Sequence, residues 1–382
     1  MIRWVALFVL FTIVVTGCTT DIKNIEKMNY ATAIGVDYIN GQYHGYVQFI
    51  NLPSVAKTTD GKKELAKVWI GEGTGNSFEE SFFEIYQTAQ EEIFWGHVTA
   101  IVISQEAIKR GIESIYDSIS RYYEFRFTPW VYTTRSSVKN ILSAKGFYDQ
   151  STMSTILQAP LGNYSQTSLV EPLKLHRLMS RIYEPGFTVC VPSLALNPKP
   201  WSINNKPAPK LEIEGAVFLK NDKFKSYIPI AELAGLRWVR PKTVRAAIPV
   251  PNKEKPTTQV VIEYPKVKFR MIQGGSLPRF HLGLKLKGYV TNWSVSGFRN
   301  AHELTDATEK AIEREIRQLA ETGRTYQTDI LNLEHYLYRD HYRLWKSKQW
   351  SEEQIRSPDA LDGIDFHLKI IHAGTEKGKY DT

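Results

Sequence analysis

From residue 30 the apolar period of this chain keeps switching between two and 3.6, and that switching bounds what it can fold into. "YATAIGVDYINGQYHGYVQFINL" alternates on both sides of Asn40-Gly41, a dipeptide that favours the tight turn of a two-stranded hairpin. "AKVWIGEGTGNSFEESFFEIYQTAQ" predicts a strand, a glycine turn and a helix with Phe78, Phe82, Ile85 and Ala89 on one face. "HVTAIVIS" is a short apolar strand, "QEAIKRGIESIYDSISRYYE" a helix broken at Gly111, "TPWVYTT" a strand and "SSVKNILSA" a short helix. "SLVEPLKLHRLMSRIYE" and "FTVCVPSLAL" add a helix and a strand. Strands alternating with helices imply a mixed sheet covered by helices.

Composition then shifts. "NPKPWSINNKPAPK" holds four prolines in fourteen residues with no periodicity, and marks the main expected boundary. "LEIEGAVFLKNDKFKSYIPI" follows as a hairpin turning at Asn221-Asp222, then the short helix "AELAGLRWV" and the polar linker "PNKEKPTT". "QVVIEYPKVKFRMI" is a strand interrupted at Pro265. "RFHLGLKLKGYV" places Phe280, Leu282, Leu284 and Leu286 on one face of a half-buried antiparallel sheet. A helix opens on Asn300, with Glu303 three residues on, and closes at Gly323. A second helix, "TDILNLEHYLYRDHYRLWKS", begins at Asp329, and "IDFHLKIIHAG" is a last strand. The expected class is α+β: a multi-domain mixed α/β body with an N-terminal mixed sheet and helices, then a C-terminal antiparallel sheet with two long helices. The expected divisions are a signal segment at 1–17, an N-terminal α/β domain at 18–197, a linker with a small hairpin-helix domain at 198–256, and a C-terminal α+β domain at 257–382.

The first residues set the compartment. Arg3 precedes twelve residues, Trp4 to Val15, that are apolar except for Thr12. A spanning helix needs about 20 residues, so the run fits the apolar core of a secretory signal. It ends in Val15-Thr16-Gly17-Cys18, which resembles a bacterial lipobox with Cys18 as the acylated residue. Two acyl chains on that thiol give a stable anchor where one chain holds only marginally. The other cysteine, Cys190, sits in an apolar run and has no disulfide partner once Cys18 is acylated. It reads as a buried structural thiol. Export without disulfides fits a Gram-positive exterior.

Catalytic and nucleic-acid readings find little support. The formal charge of +8 is thinly spread; "PKTVRAAIPVPNKEK" and "YRDHYRLWKSK" are mildly basic, and no Lys/Arg block of the nucleic-acid type occurs. "GEGTGNS" sits where phosphate loops sit but lacks the Gly-Lys-Ser/Thr ending, so it reads as a turn with Asn76 or Ser77 capping the next helix. Ser136-x-x-Lys139 matches one motif of penicillin-binding enzymes without its Ser-Asp-Asn and Lys-Thr-Gly companions. His97 reads as a satisfied histidine at a sheet edge. His335 and His341 are six residues apart, a spacing that does not align them for a metal.

The order and spacing of several segments resemble the C-subunit lipoproteins of bacterial spore nutrient-germinant receptors, the Ger(x)C family. The likeness runs through Cys18, "ATAIGVDY", "GTGNSFEESF", "WGHVTAIVISQEAIKRGI", "LEIEGAVFLKNDK", "TDILNLEHYLYRDHYRLW" and "DFHLKIIHAG". One departure is "WGH", where members often carry other residues before the histidine. The resemblance implies three domains of mixed α and β structure, no enzymatic role, no cofactor and no metal. It implies a lipid-anchored protein on the outer face of the spore inner membrane, working with the integral membrane A and B subunits in nutrient sensing. Cys18 is the single functional residue it carries over. Outside it stand two other classes, a solute-binding lipoprotein and a cell-wall-acting one.

Overall fold

The structure, a computed structural model, describes residues 28–50, 67–122, 124–251, 258–272, 276–292, 298 and 300–371. Its first sheet begins with β1 (Met28–Ile39), β2 (Gln42–Ile50) and β3 (Val68–Gly75), an antiparallel series. The β1–β2 turn is the expected one: Asn40 and Gly41 both have positive φ, 51° and 88°, as a type I′ turn requires. A 3₁₀ turn leads into α1 (Phe83–Thr88), then β4 (Glu92–Phe94), β5 (Ala100–Ser104), α2 (Gln105–Ile108), α3 (Glu113–Ser120), β6 (Trp130–Thr134) and α4 (Val138–Leu142). The break between α2 and α3 falls at Gly111, φ 96°.

The glycines expected to form a turn before α1 instead stay extended within β3. They are there for close approach. A Cβ on Gly73 would lie 2.2 Å from the Ser81 carbonyl oxygen, and one on Gly75 2.6 Å from the Ser81 nitrogen. Bare backbone lets the Ser81 turn sit on the strand and bury Phe78, Phe82 and Ile85.

After α5 (Pro160–Gln166), β7 (Leu173–Lys174) and α6 (Leu175–Ile182) comes β8 (Val189–Asn197). The Pro-rich stretch contains a small ribbon, β9 (Ser202–Ile203) and β10 (Lys206–Pro207), followed by β11 (Lys210–Lys220) and β12 (Lys223–Pro229). The large sheet runs β12-β11-β8-β6-β5-β1-β2-β3, with β4 beside β1 and β7 beside β6. Strands β1, β5, β6 and β8 are parallel neighbours. Every residue of β5 is buried: Ile101 and Ile103 face one apolar cluster, Ala100 and Val102 another. That is the pattern of a strand covered on both faces.

The segment expected as a separate hairpin-helix unit at 198–256 is divided between two sheets. Strand β11 pairs antiparallel with β8, from Lys210–Asn197 to Leu219–Val189, across the Pro-rich stretch. The physical reason is burial: Gly215 to Lys220 are buried without alternation, so β11 needs cover on both faces. The rest, α7 (Leu236–Val239) and β13 (Arg245–Val250), joins the second layer.

That layer is a sheet of β13, β14 (Thr258–Ile272), β15 (Arg279–Asn292) and β16 (Leu361–Ile371). It is antiparallel through β15, and β16 lies parallel to β15. Strand β14 continues past Pro265 through a register shift at Glu263/Lys266. Phe280, Leu282, Leu284 and Leu286 are buried as the alternation predicts, in one cluster with Leu304, Ile312, Ile316 and Leu319 of α8 (Ala301–Thr325). Asn300 caps α8 by accepting from the Glu303 amide at 2.9 Å. The second helix is broken at His341 into α9 (Leu333–Asp340) and α10 (Tyr342–Lys348), before α11 (Glu352–Ile355). Helix α9 starts at Leu333, four residues later than expected, because Asn332 is left-handed; Asp329 caps it from outside, its carboxylate accepting from the Leu333 and Glu334 amides at 3.0 and 2.9 Å. Ala216, Phe218 and Ile228 of the first sheet share a core with Trp238, Phe280 and Ile316 of the second layer. Among the described residues no helix is long and apolar enough to cross a membrane.

Candidate functional site

Cys18 lies outside the described residues. The other residues singled out in the sequence are scattered, and most are occupied structurally. Lys139 donates to Glu72 at 3.0 Å rather than serving Ser136. Burial pushes the Glu72 carboxyl up, but Lys139, Tyr46 and His44 outweigh it and hold it below the usual range. Ser136 donates its amide to the Thr134 hydroxyl, and Ser137 caps α4. His97 is exposed, with its ring against Tyr30 and Phe94. Burial pushes the Cys190 thiol up to about 11, with Arg240, Glu171 and Arg181 as smaller influences, so it stays protonated at neutral pH. His335 packs on Phe187 and faces the Pro185 carbonyl at 3.3 Å, whereas His341 meets Tyr336.

A groove that sequence reasoning missed lies between residues 140–150 and 196–210. Its volume is about 1140 Å³. Two loops build it: one leaves α4 through Gly146, and the other leaves β8 at Asn197 into the Pro-rich ribbon. The ribbon can turn because Asn204 and Asn205 adopt φ of 49° and 64°, a region asparagine tolerates. Phe147, Tyr148, Trp201 and Ile203 line the groove and are 41%, 85%, 51% and 61% exposed. Phe147 meets Trp201 edge to face at 4.7 Å. Lys210 ties the two loops together. Its ammonium donates to the carbonyls of Lys145 and Gly146 at 3.2 and 2.7 Å and lies 4.8 Å from the Phe147 ring centroid.

Tyr148 sits at φ 53°, rare for a bulky side chain, and its ring points into solvent. Holding that conformation costs on the order of 1–3 kcal/mol. An exposed aromatic cluster of this kind has the chemistry to accept apolar or aromatic groups, and the cations beside it suit an acidic rim. One signal was present in the sequence: aromatics at Phe147, Tyr148 and Trp201 in polar Gly- and Pro-bearing loops, where no core could claim them. The groove is beyond the carboxyl end of β8, whereas the chain enters at Met28, at the amino end of the parallel β1.

Comparison with known proteins matches two family profiles in chain order. The "Spore germination protein N-terminal domain" matches residues 21–196, and the "Spore germination B3/ GerAC like, C-terminal" matches residues 213–374. The chain is 22% identical over 370 residues to spore germination protein B3 of Bacillus subtilis (strain 168), covering 94% of each chain. It is 21% identical to spore germination protein YndF of the same organism, covering 96% of each. The crystal structure of the GerBC protein superimposes with a TM-score of 0.50 at 17% identity, covering 91% of this chain and 99% of that one. That likeness concerns the fold, and it extends to the mixed sheet and the helix-backed second sheet described above. With both profiles in order and relatives aligned from end to end, the chain belongs to the Ger(x)C family of spore germination proteins.

Proposed function

We propose that this chain is the C subunit of a spore nutrient-germinant receptor, a lipid-anchored protein that binds and supports partners without catalysis. The observation that carries this reading is the end-to-end similarity to spore germination protein B3. In this reading Cys18 carries the diacylglycerol, and residues 19–27 form the tether to β1. The body then lies on the outer face of the spore inner membrane beside the integral membrane A and B subunits. The aromatic groove accepts part of a partner. Because the groove and Met28 are at opposite ends of the parallel strands, that part must stand clear of the bilayer.

The test is recovery of the full chain from detergent-solubilised spore membranes. The wild-type chain is expected to bring down two membrane proteins. Phe147→Ala/Trp201→Ala, whose side chains are exposed and whose fold is to be checked by circular dichroism, is expected to lose most of them and to slow nutrient germination. Recovery of the wild-type chain alone, together with normal nutrient germination when its gene is deleted, would overturn the reading.

A further inference from the structure

Helix α10 has no fully buried residue: Tyr342 is 49% exposed, and Trp345 is half-buried against the second-layer core. Tyr338, at the end of α9, and Tyr342 and Trp345 of α10 form a cluster with ring centroids 5.2 to 6.0 Å apart. Beside this stripe runs a second one, Arg339, Arg343 and Lys346, one residue further along at each step, with Lys348 next to it. Among the described residues none of these four cations has an acidic partner within 4.0 Å; Lys346 leans over the Tyr342 ring. The acids nearby in sequence are Asp340, and Glu352 and Glu353 beyond the helix. Glu352 is already engaged by Lys220, Lys225 and Arg356. Aromatic rings with one apolar and one wet face, bordered by unpaired cations, suit an anionic lipid headgroup layer.

The position of α9 fits the same occupant. Asn332, just before α9, accepts from the Thr188 amide at 2.7 Å, and His335 faces the Pro185 carbonyl. Both partners immediately precede β8, at its amino end. Strand register puts Ala33, Ala100 and Trp130 in one row, and Thr133 opposite Ser193. Met28 and the start of β8, just after Pro185, therefore lie towards the same end of the sheet, on strands three spacings or about 14 Å apart. The ten residues from Cys18 to Met28 reach at most about 35 Å when extended, enough to seat that end on the bilayer.

We propose that α10 and the end of α9, with Tyr342 facing the headgroups beside half-buried Trp345 and with Arg339, Arg343, Lys346 and Lys348 pairing with lipid phosphates, form the membrane-seating surface of this protein. The proposal orients the body and rests on the anchored reading above; the experiment separates the two. Ser347→Cys in α10 and Ser202→Cys at the groove are each made in the mature lipoprotein carrying Cys190→Ala. Each is labelled with a polarity-sensitive dye and mixed with vesicles of phosphatidylcholine alone or with added phosphatidylglycerol, both doped with a headgroup-level quencher.

Flotation on pure phosphatidylcholine reads the anchor. Quenching at 347 reads the helix. With phosphatidylglycerol, quenching is expected to be several-fold stronger at 347 than at 202. It should weaken on replacing the four cations with glutamine, and also in 1 M salt, where screening shortens to about 3 Å. In a chain lacking the acyl group, the four-glutamine variant should bind these vesicles about 1000-fold less well. Flotation with equal quenching at 347 and 202 would overturn the proposal and leave the anchor standing. Quenching at 347 without flotation on phosphatidylcholine would support it and remove the anchor. No association with either vesicle would overturn both.

Discussion

The carboxylate of Asp222, at the tip of the β11–β12 hairpin, accepts hydrogen bonds from the amides of Ile112 and Glu113 at 2.9 and 3.3 Å. A turn residue thus caps α3 from 110 positions away. Asp222 itself is left-handed, φ 57°. Asp222→Ala should therefore lose both the cap and a tolerant turn residue, lowering stability by about 2 kcal/mol. Asp222→Asn keeps the turn and one acceptor and should lose less than about 1 kcal/mol. Urea denaturation of the three proteins checks the order; an alanine variant as stable as wild type would contradict it.

Lys220 links the two layers. Its side chain is 7% exposed, and its ammonium pairs with Glu334 and lies 2.9 Å from Glu352, which also holds Lys225 at 2.9 Å. Lys220→Met leaves two carboxylates facing each other without their shared cation, and should destabilise the protein by about 3 kcal/mol.

The same cluster gives a pH dependence. Burial raises the Glu352 carboxyl, but Lys225 and Lys220 outweigh it and hold it at about 2. A carboxyl depressed on folding contributes stability above its ordinary value of 4.5, and that stability is lost as pH falls towards 2. Burial lowers the Lys220 ammonium, but Glu334 and Glu352 raise it on balance. Its contribution is complete below 10.5 and fades as pH rises through the folded value. Glu352→Gln should flatten the acid limb of a stability-against-pH curve. Parallel acid limbs in the two proteins would show that Glu352 is not responsible.

Gly73 and Gly162 should respond to alanine with opposite signs. At Gly73 the new Cβ meets the Ser81 carbonyl at 2.2 Å, and either β3 or the turn must move. The expected loss is about 2 kcal/mol or more. At Gly162, within α5, nothing lies within 4 Å of the added carbon, and alanine should stabilise by about 0.5–1 kcal/mol. Thermal melts of both variants suffice.

Cys18→Ser should abolish fatty-acid labelling and slow nutrient germination. In the proposed reading a tether raises the effective concentration of weak partner contacts, so its removal should weaken assembly even though every protein contact survives. Germination by a cationic surfactant, which bypasses receptors, should be unchanged. Normal nutrient germination by unlipidated protein at normal abundance would remove tethering as the role of Cys18.

Features set by a few neighbouring residues were legible in the sequence. Asn40-Gly41 and Asn221-Asp222 specify their turns through left-handed φ at both positions, and Asn300 caps its helix through the adjacent amides. The alternation from Phe280 to Leu286 marked its buried face because one side meets α8. Features set by distant partners were not legible. The glycines of β3 looked like a turn because Ser81, the group they make room for, is invisible in a strand pattern. Nothing within β16 says that its neighbour is parallel β15. Residues 328–347 carried a helical period, but the backbone breaks at His341. The groove escaped notice because exposure of Phe147 and Trp201 depends on what the fold leaves uncovered.

The pairing of β8 with β11 also constrains how such proteins can be recombined. The two family profiles meet at the Pro-rich stretch, which makes it an inviting crossover point between paralogues. Strand partners lie on both sides of that point, from Asn197–Lys210 to Val189–Leu219. A chimera joined there inherits one strand from each parent and must match their side chains at every rung. Germination proteins assembled by such exchange should work when the junction lies after β12, where the hairpin travels with its own sheet, and fail more often when it lies within the ribbon.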